Sequence, residues 1–292
     1  MERNTQYAGG NMMGAVLEVR NLTKNYPGFT LDHIGFTLSE GRITGFIGRN
    51  GAGKTTTLHS LLGFLSPDEG EIRFWGQEFR DNSLAIKQRV GFVSAGMTFY
   101  NRKKLRVITE ITRSFYTRWD ESVYRRYLEL FKLDEDKTPE KLSNGMKIKY
   151  MLALALSHEA YLLILDEPTS GLDPVSREEL LEIFLDLRDT GKTILYSTHI
   201  TSDLDKTADD ILYISGGKLL AEASIEDFIG SWRLAEYGTM DISADERSLL
   251  TGQRRTRDGF TALVRTEDAE KLSVPVREAN LEEIMVHLEK EA

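Results

Sequence analysis

Apolar positions recur along this chain with two periods, and the period switches repeatedly. Val16-Leu17-Glu18-Val19-Arg20 alternates as a strand does, and Phe36-Thr37-Leu38 resumes the alternation after a turn around Pro27-Gly28. Arg42 to Ile47 reads as a short buried strand. Glu71 to Trp75 is another, bounded by Gly70 and Gly76, and Val90 to Val93 a further one. From about Lys104 to Leu133 the pattern turns helical and charged, with Val107, Ile111 and Phe115, then Tyr124, Tyr127, Leu128 and Phe131, spaced for one face. A helix from Met146, a wholly apolar strand at Leu162 to Leu165, a helix from Ser176 to Arg188 and a strand from Thr193 to Tyr196 complete the series. Strands that alternate with helices, one of them apolar on both faces, predict an α/β fold with a covered, largely parallel sheet.

The composition shifts after Gly230, so residues 14–230 read as one domain and residues 231–292 as a small α/β extension. Within the extension, Phe260 to Arg265 reads as a strand. Asn280-Leu281-Glu282-Glu283 opens a last helix as a capping box, with Leu281, Ile284, Met285 and Leu288 on one face. Arg254, Arg255 and Arg257 form either a seat for an acidic ligand or a solvated turn. Residues 1–13 look like a loose polar leader without the apolar core of a signal peptide.

Charge and cysteine usage narrow the classes. Lys and Arg number 37 against 46 Asp and Glu, a formal charge of −9, which argues against general nucleic-acid binding. With no cysteine, disulfides and thiolate metal sites are impossible. No apolar run reaches the ~18 residues of a spanning helix. The richest, Met151 to Leu165, is broken by Ser157, His158 and Glu159. A soluble protein is expected, its membrane role, if any, exercised through a partner.

The most specific chemistry lies in Gly48-Arg49-Asn50-Gly51-Ala52-Gly53-Lys54-Thr55-Thr56, which fits the phosphate-gripping pattern G-x-x-x-x-G-K-[ST] without mismatch. Its glycines allow a tight turn that aims successive N–H groups at phosphate oxygens. Lys54 adds a point charge, expected to stay exposed until phosphate arrives, and the Thr55 hydroxyl can ligate Mg²⁺. A strand enters the loop and a helix, read as Thr55 to Phe64, leaves it, so the helix N-terminus faces the anion. Asp166-Glu167 ends the apolar strand. Buried carboxylates there need a cation or a substrate to offset desolvation. Beside a phosphate loop, Asp166 can reach Mg²⁺ through water, and Glu167 can polarise a water for attack. Leu142-Ser143-Asn144-Gly145-Met146 precedes a helix that Ser143 can cap. Taken alone it is an ordinary helix start; its N–H groups with Gly145 also make a second anion site.

Phosphate loop, capped helix, Asp-Glu strand end, Ser170-Gly171-Leu172-Asp173 and Ser197-Thr198-His199 occur in that order. Together, from about Val16 to Asp227, they resemble the ATP-binding-cassette ATPases, specifically the nucleotide-binding subunit of ABC transporters. The resemblance implies a P-loop core with an antiparallel β subdomain and an inserted helical subdomain at about residues 97–158. It implies ATP hydrolysis with Mg²⁺, a cytoplasmic place on the inner face of the membrane, and permease subunits as partners. Two such chains, as a homodimer or a heterodimer, would pack head to tail, each ATP lying between Lys54 of one and Ser143 of the other. His199 then contacts the γ-phosphate and the attacking water, Asp173 spans the interface, and Tyr26 stacks on adenine. The tail resembles the C-terminal extension of a subset of bacterial ABC exporters, including those for antimicrobial peptides.

Three residues, in two motifs, depart from the family. Its signature reads Leu-Ser-Gly-Gly-Gln, where this chain has Asn144 and Met146. Asn tolerates left-handed backbone angles, so the loop survives the first change. After the strand Val90 to Val93 the family places a Gln that touches Mg²⁺ and the lytic water; here Ala95 aligns with it, or Ser94 if the register slips by one. Alanine offers neither ligand nor proton acceptor, while water can fill a Mg²⁺ position. A soluble non-transport ATPase of the same superfamily and a low-turnover regulatory nucleotide-binding module are the rival readings.

Overall fold

The computed structural model describes residues 14–95, 100–238 and 242–290. The polar leader and the expected start of the helical insertion at residue 97 lie outside them. The chain opens with a hairpin, β1 (Ala15–Tyr26) and β2 (Phe29–Ser39), followed by β3 (Ile43–Ile47) and α1 (Lys54–Leu61). Next come β4 (Glu69–Phe74), β5 (Gln77–Glu78), α2 (Phe79–Lys87) and β6 (Val90–Ser94). A helical stretch holds α3 (Leu105–Arg113), α4 (Glu121–Leu130) and α5 (Asn144–Ser157). The α/β alternation then resumes with β7 (Leu162–Asp166), α6 (Pro174–Asp189), β8 (Thr193–Thr198), α7 (Thr201–Thr207), β9 (Asp210–Ser215), β10 (Lys218–Ser224) and α8 (Ile225–Gly230). The remainder is β11 (Trp232–Tyr237), α9 (Ala244–Leu249), β12 (Thr251–Arg255), β13 (Phe260–Arg265), β14 (Val276–Glu278) and α10 (Leu281–Leu288).

The central sheet runs β10-β9-β3-β8-β7-β6, parallel except where β10 meets β9. β3, β7 and β8 are buried along their whole length because both faces of the sheet are covered there. In β7, Leu162 and Ile164 face the antiparallel sheet β2-β1-β4-β5, while Leu163 and Leu165 face α5 and α6. The same alternation splits Leu195 from Ile194 and Tyr196 in β8. A third sheet, β12-β13-β11-β14, is antiparallel throughout. It does not stand apart from the rest. Trp232, Leu234, Leu281 and Ile284 belong to the same buried cluster as Leu204, Ile211 and Tyr213, and α10 packs on α7.

Lys104 to Leu133 is two helices rather than one. Asp120 breaks the run by capping α4, its carboxylate accepting from the N–H groups of Ser122 and Val123. The helical stretch is tied to the sheet at His158, whose ring stacks on Tyr116 at 3.7 Å and whose Nδ1 lies 3.2 Å from the Gln88 carbonyl. Burial lowers this imidazole to a pKa of about 4, so it is neutral there. Among the described residues no helix is long and apolar enough to cross a membrane.

Candidate nucleotide site

β3 delivers the chain to the phosphate loop with every residue buried. Two glycines make the loop possible. A Cβ on Gly48 would lie 2.2 Å from the Ile214 carbonyl oxygen, and Gly53, at φ +116°, caps α1 in a conformation side chains rarely adopt. Lys54 begins α1 and is only 5 % exposed, not the solvent-exposed charge expected from sequence. Its ammonium donates to the carbonyl oxygens of Gly48 (2.7 Å) and Arg49 (3.3 Å) and lies 3.4 Å from Glu167 Oε1. The loop is therefore its own counter-dipole, and a buried ammonium is satisfied by the backbone it is meant to serve.

β7 and β8 bring the acids to the loop. Thr55 Oγ1 lies 3.2 and 3.3 Å from the two carboxylate oxygens of the buried Asp166. Ser197, paired in register with Asp166, donates its hydroxyl to Asp166 Oδ1 at 2.7 Å and accepts the Glu167 N–H at 2.9 Å. Glu167 itself sits at φ +49°, a left-handed conformation that costs a long side chain roughly 1–3 kcal/mol and persists where its surroundings impose it. The result is a carboxylate held between two nitrogen-bearing side chains: Oε1 lies 3.4 Å from Lys54 Nζ and Oε2 2.8 Å from His199 Nδ1. His199 rides on the turn after β8, which Thr198 holds by accepting the Ile200 N–H.

Other expected residues lie elsewhere. Ser143 caps α5 by accepting the Met146 N–H at 3.2 Å. Asp173 caps α6, accepting from Val175 and Ser176. Hydrogen bonds from Ser176, its side chain first, hold the Asp173 carboxyl below the usual carboxylate range. These two loops meet each other: Asn144 approaches Gly171, and Gly145 faces Ser176 and Leu172. Tyr26 ends β1, 41 % exposed, its ring 6.4 Å from that of Phe29, whose edge in turn reaches Gly53 of the phosphate loop. Ala95 is exposed just past β6, and its N–H donates to the Asp166 carbonyl oxygen at 3.3 Å.

Comparison with known proteins decides what this arrangement is. The ABC transporter family model matches residues 31–170. The bacitracin transport ATP-binding protein BcrA of Bacillus licheniformis is 36 % identical over 214 residues, covering 72 % of this chain and 70 % of that protein. A Nod factor export ATP-binding protein I of Rhizobium johnstonii is 32 % identical over 282 residues, covering 92 % and 89 %. This chain belongs to the ATP-binding subunits of ABC transporters. A solved ATP-binding subunit of an ABC transporter superposes with a TM-score of 0.66 at 29 % identity, over 73 % of this chain and 91 % of that one. A nucleotide-free ATP-binding cassette, at 22 % identity and a TM-score of 0.62, shares the fold. Like its relatives, this ABC subunit binds ATP and is an ATPase coupled to transport.

The donors suit the cation such chemistry uses. Thr55 and Asp166 offer two hard oxygen-bearing groups side by side, and among the described residues no group of three or more His, Cys, Asp or Glu side chains is placed to hold a metal ion. Two oxygen donors suit Mg²⁺, which commonly keeps several waters of its own. Sequence reasoning passed over Ser197. Its signal was available in the Ser-Thr-His triplet, yet only the β7–β8 register shows the hydroxyl bridging Asp166 and Glu167.

Proposed function

We propose that this chain is the ATP-hydrolysing engine of an exporter, working as a head-to-tail homodimer or heterodimer on the inner face of the cell membrane beneath separate permease subunits. The observation that carries the reading is the continuous cluster Lys54–Glu167–His199 and Thr55–Asp166–Ser197, which joins phosphate grip, acid pair and switch histidine within hydrogen-bond reach. The names of the relatives, bacitracin transport and Nod factor export, support outward transport. We assign residues 14–230 to the ATP-binding domain, with its helical subdomain at about 97–158, and residues 231–292 to an accessory extension.

In this reading the phosphate loop, Gly48 to Thr56, wraps the phosphates and Tyr26 covers the adenine. Ser143, Asn144 and Gly145 meet the γ-phosphate of the ATP held by the other subunit, and Asp173 reaches across the interface. Thr55 and Asp166 would hold Mg²⁺, which would supply charge neutralisation on the phosphates. Lys54 exchanges its loop carbonyls and Glu167 for phosphate oxygens, which frees the Glu167 carboxylate to take a proton from water. As the water oxygen bonds to the γ-phosphorus, the bond to the β–γ bridging oxygen breaks and ADP departs. His199 keeps Glu167 aimed through Oε2. The left-handed backbone at Glu167 fixes the carboxylate without help from substrate.

A permease needs a seat, and one apolar groove of about 280 Å³ suits it. Phe64 and Phe92 form its sheet side, Tyr116 and Leu154 its helical side. Phe64 is 58 % exposed, and Phe115, next to Tyr116, is 70 % exposed. Exposed aromatic patches of this kind mark protein contacts. Ala95 favours a slower engine than most, since a methyl group stands where the family has a carboxamide. Purification of the tagged chain from its native membranes tests the whole reading. A multi-spanning protein is expected to accompany it, and ATP hydrolysis to be retained. Recovery with ribosomes or DNA instead, or an ATP-binding chain without turnover, would overturn it in favour of a non-transport ATPase or a regulatory module.

A further inference from the structure

Behind the site lies a carboxylate that the chemistry above does not use. Asp203, on α7, is 1 % exposed, and its side chain is bonded to residues of two other segments. Its Oδ2 accepts the Thr169 hydroxyl at 2.7 Å, and its Oδ1 accepts Arg177 Nε at 2.5 Å. Arg177 also donates from its other nitrogen to Ser202 Oγ at 3.0 Å. The partners come from two further segments. Thr169 stands two residues after Glu167, in the turn closed by the Ser170 N–H on the Glu167 carbonyl. Arg177 stands in the first turn of α6, where its N–H donates to the Asp173 carbonyl. Asp203 itself follows His199 by four residues, and its own N–H donates to the Ile200 carbonyl.

One buried charge thus fastens together the segments that carry Glu167, Asp173 and His199. Such a charge is costly to bury, and it is held only because both oxygens are paired. Its partners cannot separate one at a time without leaving that carboxylate short of a donor. Glu167 and His199 touch directly at 2.8 Å, a geometry that tolerates little drift before proton transfer slows. We propose that Asp203 is a positioning residue for hydrolysis: through Thr169 and Arg177 it locks the His199 turn to Glu167 and transmits movement of the Asp173 turn to both. The inference rests on the proposed roles of Glu167, His199 and Asp173, and it adds a residue that is itself buried away from the surface.

The test is steady-state ATP hydrolysis by the full chain carrying Asp203→Asn, Arg177→Gln, both together, or Thr169→Val. Asp203→Asn keeps the shape but cannot serve two donors as an anion, so kcat is expected to fall tenfold or more while the KM for ATP stays within twofold. The double variant is expected to be no slower than the slower single one, because the groups act as a unit. In a His199→Ala background, Asp203→Asn is expected to add no further loss. Should Asp203→Asn fail to fold, Thr169→Val carries the same expectation at smaller amplitude, since the Arg177 pair remains. Parent-like kcat in Asp203→Asn or Thr169→Val, a matching rise in KM, or full additivity with His199→Ala would overturn the proposal while a hydrolysing parent left the ATPase reading standing. A parent chain that does not hydrolyse ATP sinks that underlying reading instead.

Discussion

The two halves of the expected nucleotide site are built in opposite ways. Around the phosphate loop, Lys54, Thr55, Asp166, Glu167, Ser197 and His199 are bonded to one another, and Lys54 and Asp166 are buried. Ser143 and Asp173 each cap their own helix by accepting its backbone N–H groups, and Val175 beside them is 67 % exposed. The contrast fits a division of labour. Groups that act on a ligand within one chain can be pre-organised by that chain, with costs of burial offset by mutual bonds. Groups that act on a ligand held by a second chain have only local bonds to make until that chain arrives. A single subunit therefore displays one finished half-site and one that looks like ordinary helix capping.

The largest effect is expected where the finished half does chemistry. Glu167→Gln keeps the shape and the hydrogen bond that its backbone N–H donates to Ser197 Oγ, but an amide is a very poor base. Hydrolysis should fall by about 10²–10⁴-fold with ATP binding retained, and the ATP-bound chain should accumulate as a dimer by size-exclusion chromatography. Parent-rate turnover and a monomeric elution with ATP and Mg²⁺ would remove Glu167 from the role and break the contrast at its strongest point. Lys54→Ala comes next. Loss of one charge-assisted contact to phosphate should weaken ATP binding by ~10–10²-fold in calorimetry. Because Lys54 also bridges the Gly48 and Arg49 carbonyls, the nucleotide-free variant should melt at a lower temperature too. A lysine that merely waited in solvent would leave that temperature unchanged.

Ser143→Ala sharpens the comparison from the other side. It removes an N-cap, worth ~1 kcal/mol of local stability, and one hydroxyl expected to face the other subunit's ATP. Binding of ATP by the dilute, monomeric chain should match the parent, while hydrolysis at dimer-forming concentrations should drop roughly tenfold, the scale of one hydrogen bond to a charged group. Equal loss in both measurements would place Ser143 in the finished half and end the distinction.

How much of this was legible in sequence follows from the same physics. The strand Leu162 to Leu165 and the phosphate loop could be read directly, because burial on both faces and glycine spacing each leave a local mark. The first strand was read short, at Val16 to Arg20. It runs to Tyr26 because register shifts and Asn21, at φ +50°, absorb a break in the alternation that ends most strands. Likewise β2 starts at Phe29 rather than Phe36. α2, β9, β10, α7 and β11 were not read, being short and placed by tertiary packing. In the site, residue types were legible and bonds were not. Nothing local announces that Glu167 takes a left-handed backbone, that Ser197 bridges two acids, or that Lys54 turns back onto its own loop.

The smallest expected effect concerns the position where chain and family disagree. Ala95 follows β6 directly, and its N–H donates to the carbonyl of Asp166, so position 95 lies beside the end of β7, the strand that carries the acid pair. A carboxamide there would add one neutral donor and acceptor near the cation and the lytic water, a change worth about 0.5–1.5 kcal/mol. Ala95→Gln should accordingly raise turnover severalfold and lower the Mg²⁺ concentration for half-maximal rate, with ATP affinity unchanged. Ser94 supplies the control, since it pairs in register with Asp166 on the neighbouring strand. If Ser94 already serves the metal, Ser94→Ala will slow hydrolysis in the parent and Ala95→Gln will change little. If position 95 is the true counterpart, Ser94→Ala will be nearly silent and the new glutamine will act. Superimposable Mg²⁺ titrations for the parent and both variants would show that this subunit positions its water with Glu167 and His199 alone, and the finished half-site would then be complete without any residue from the β6 loop.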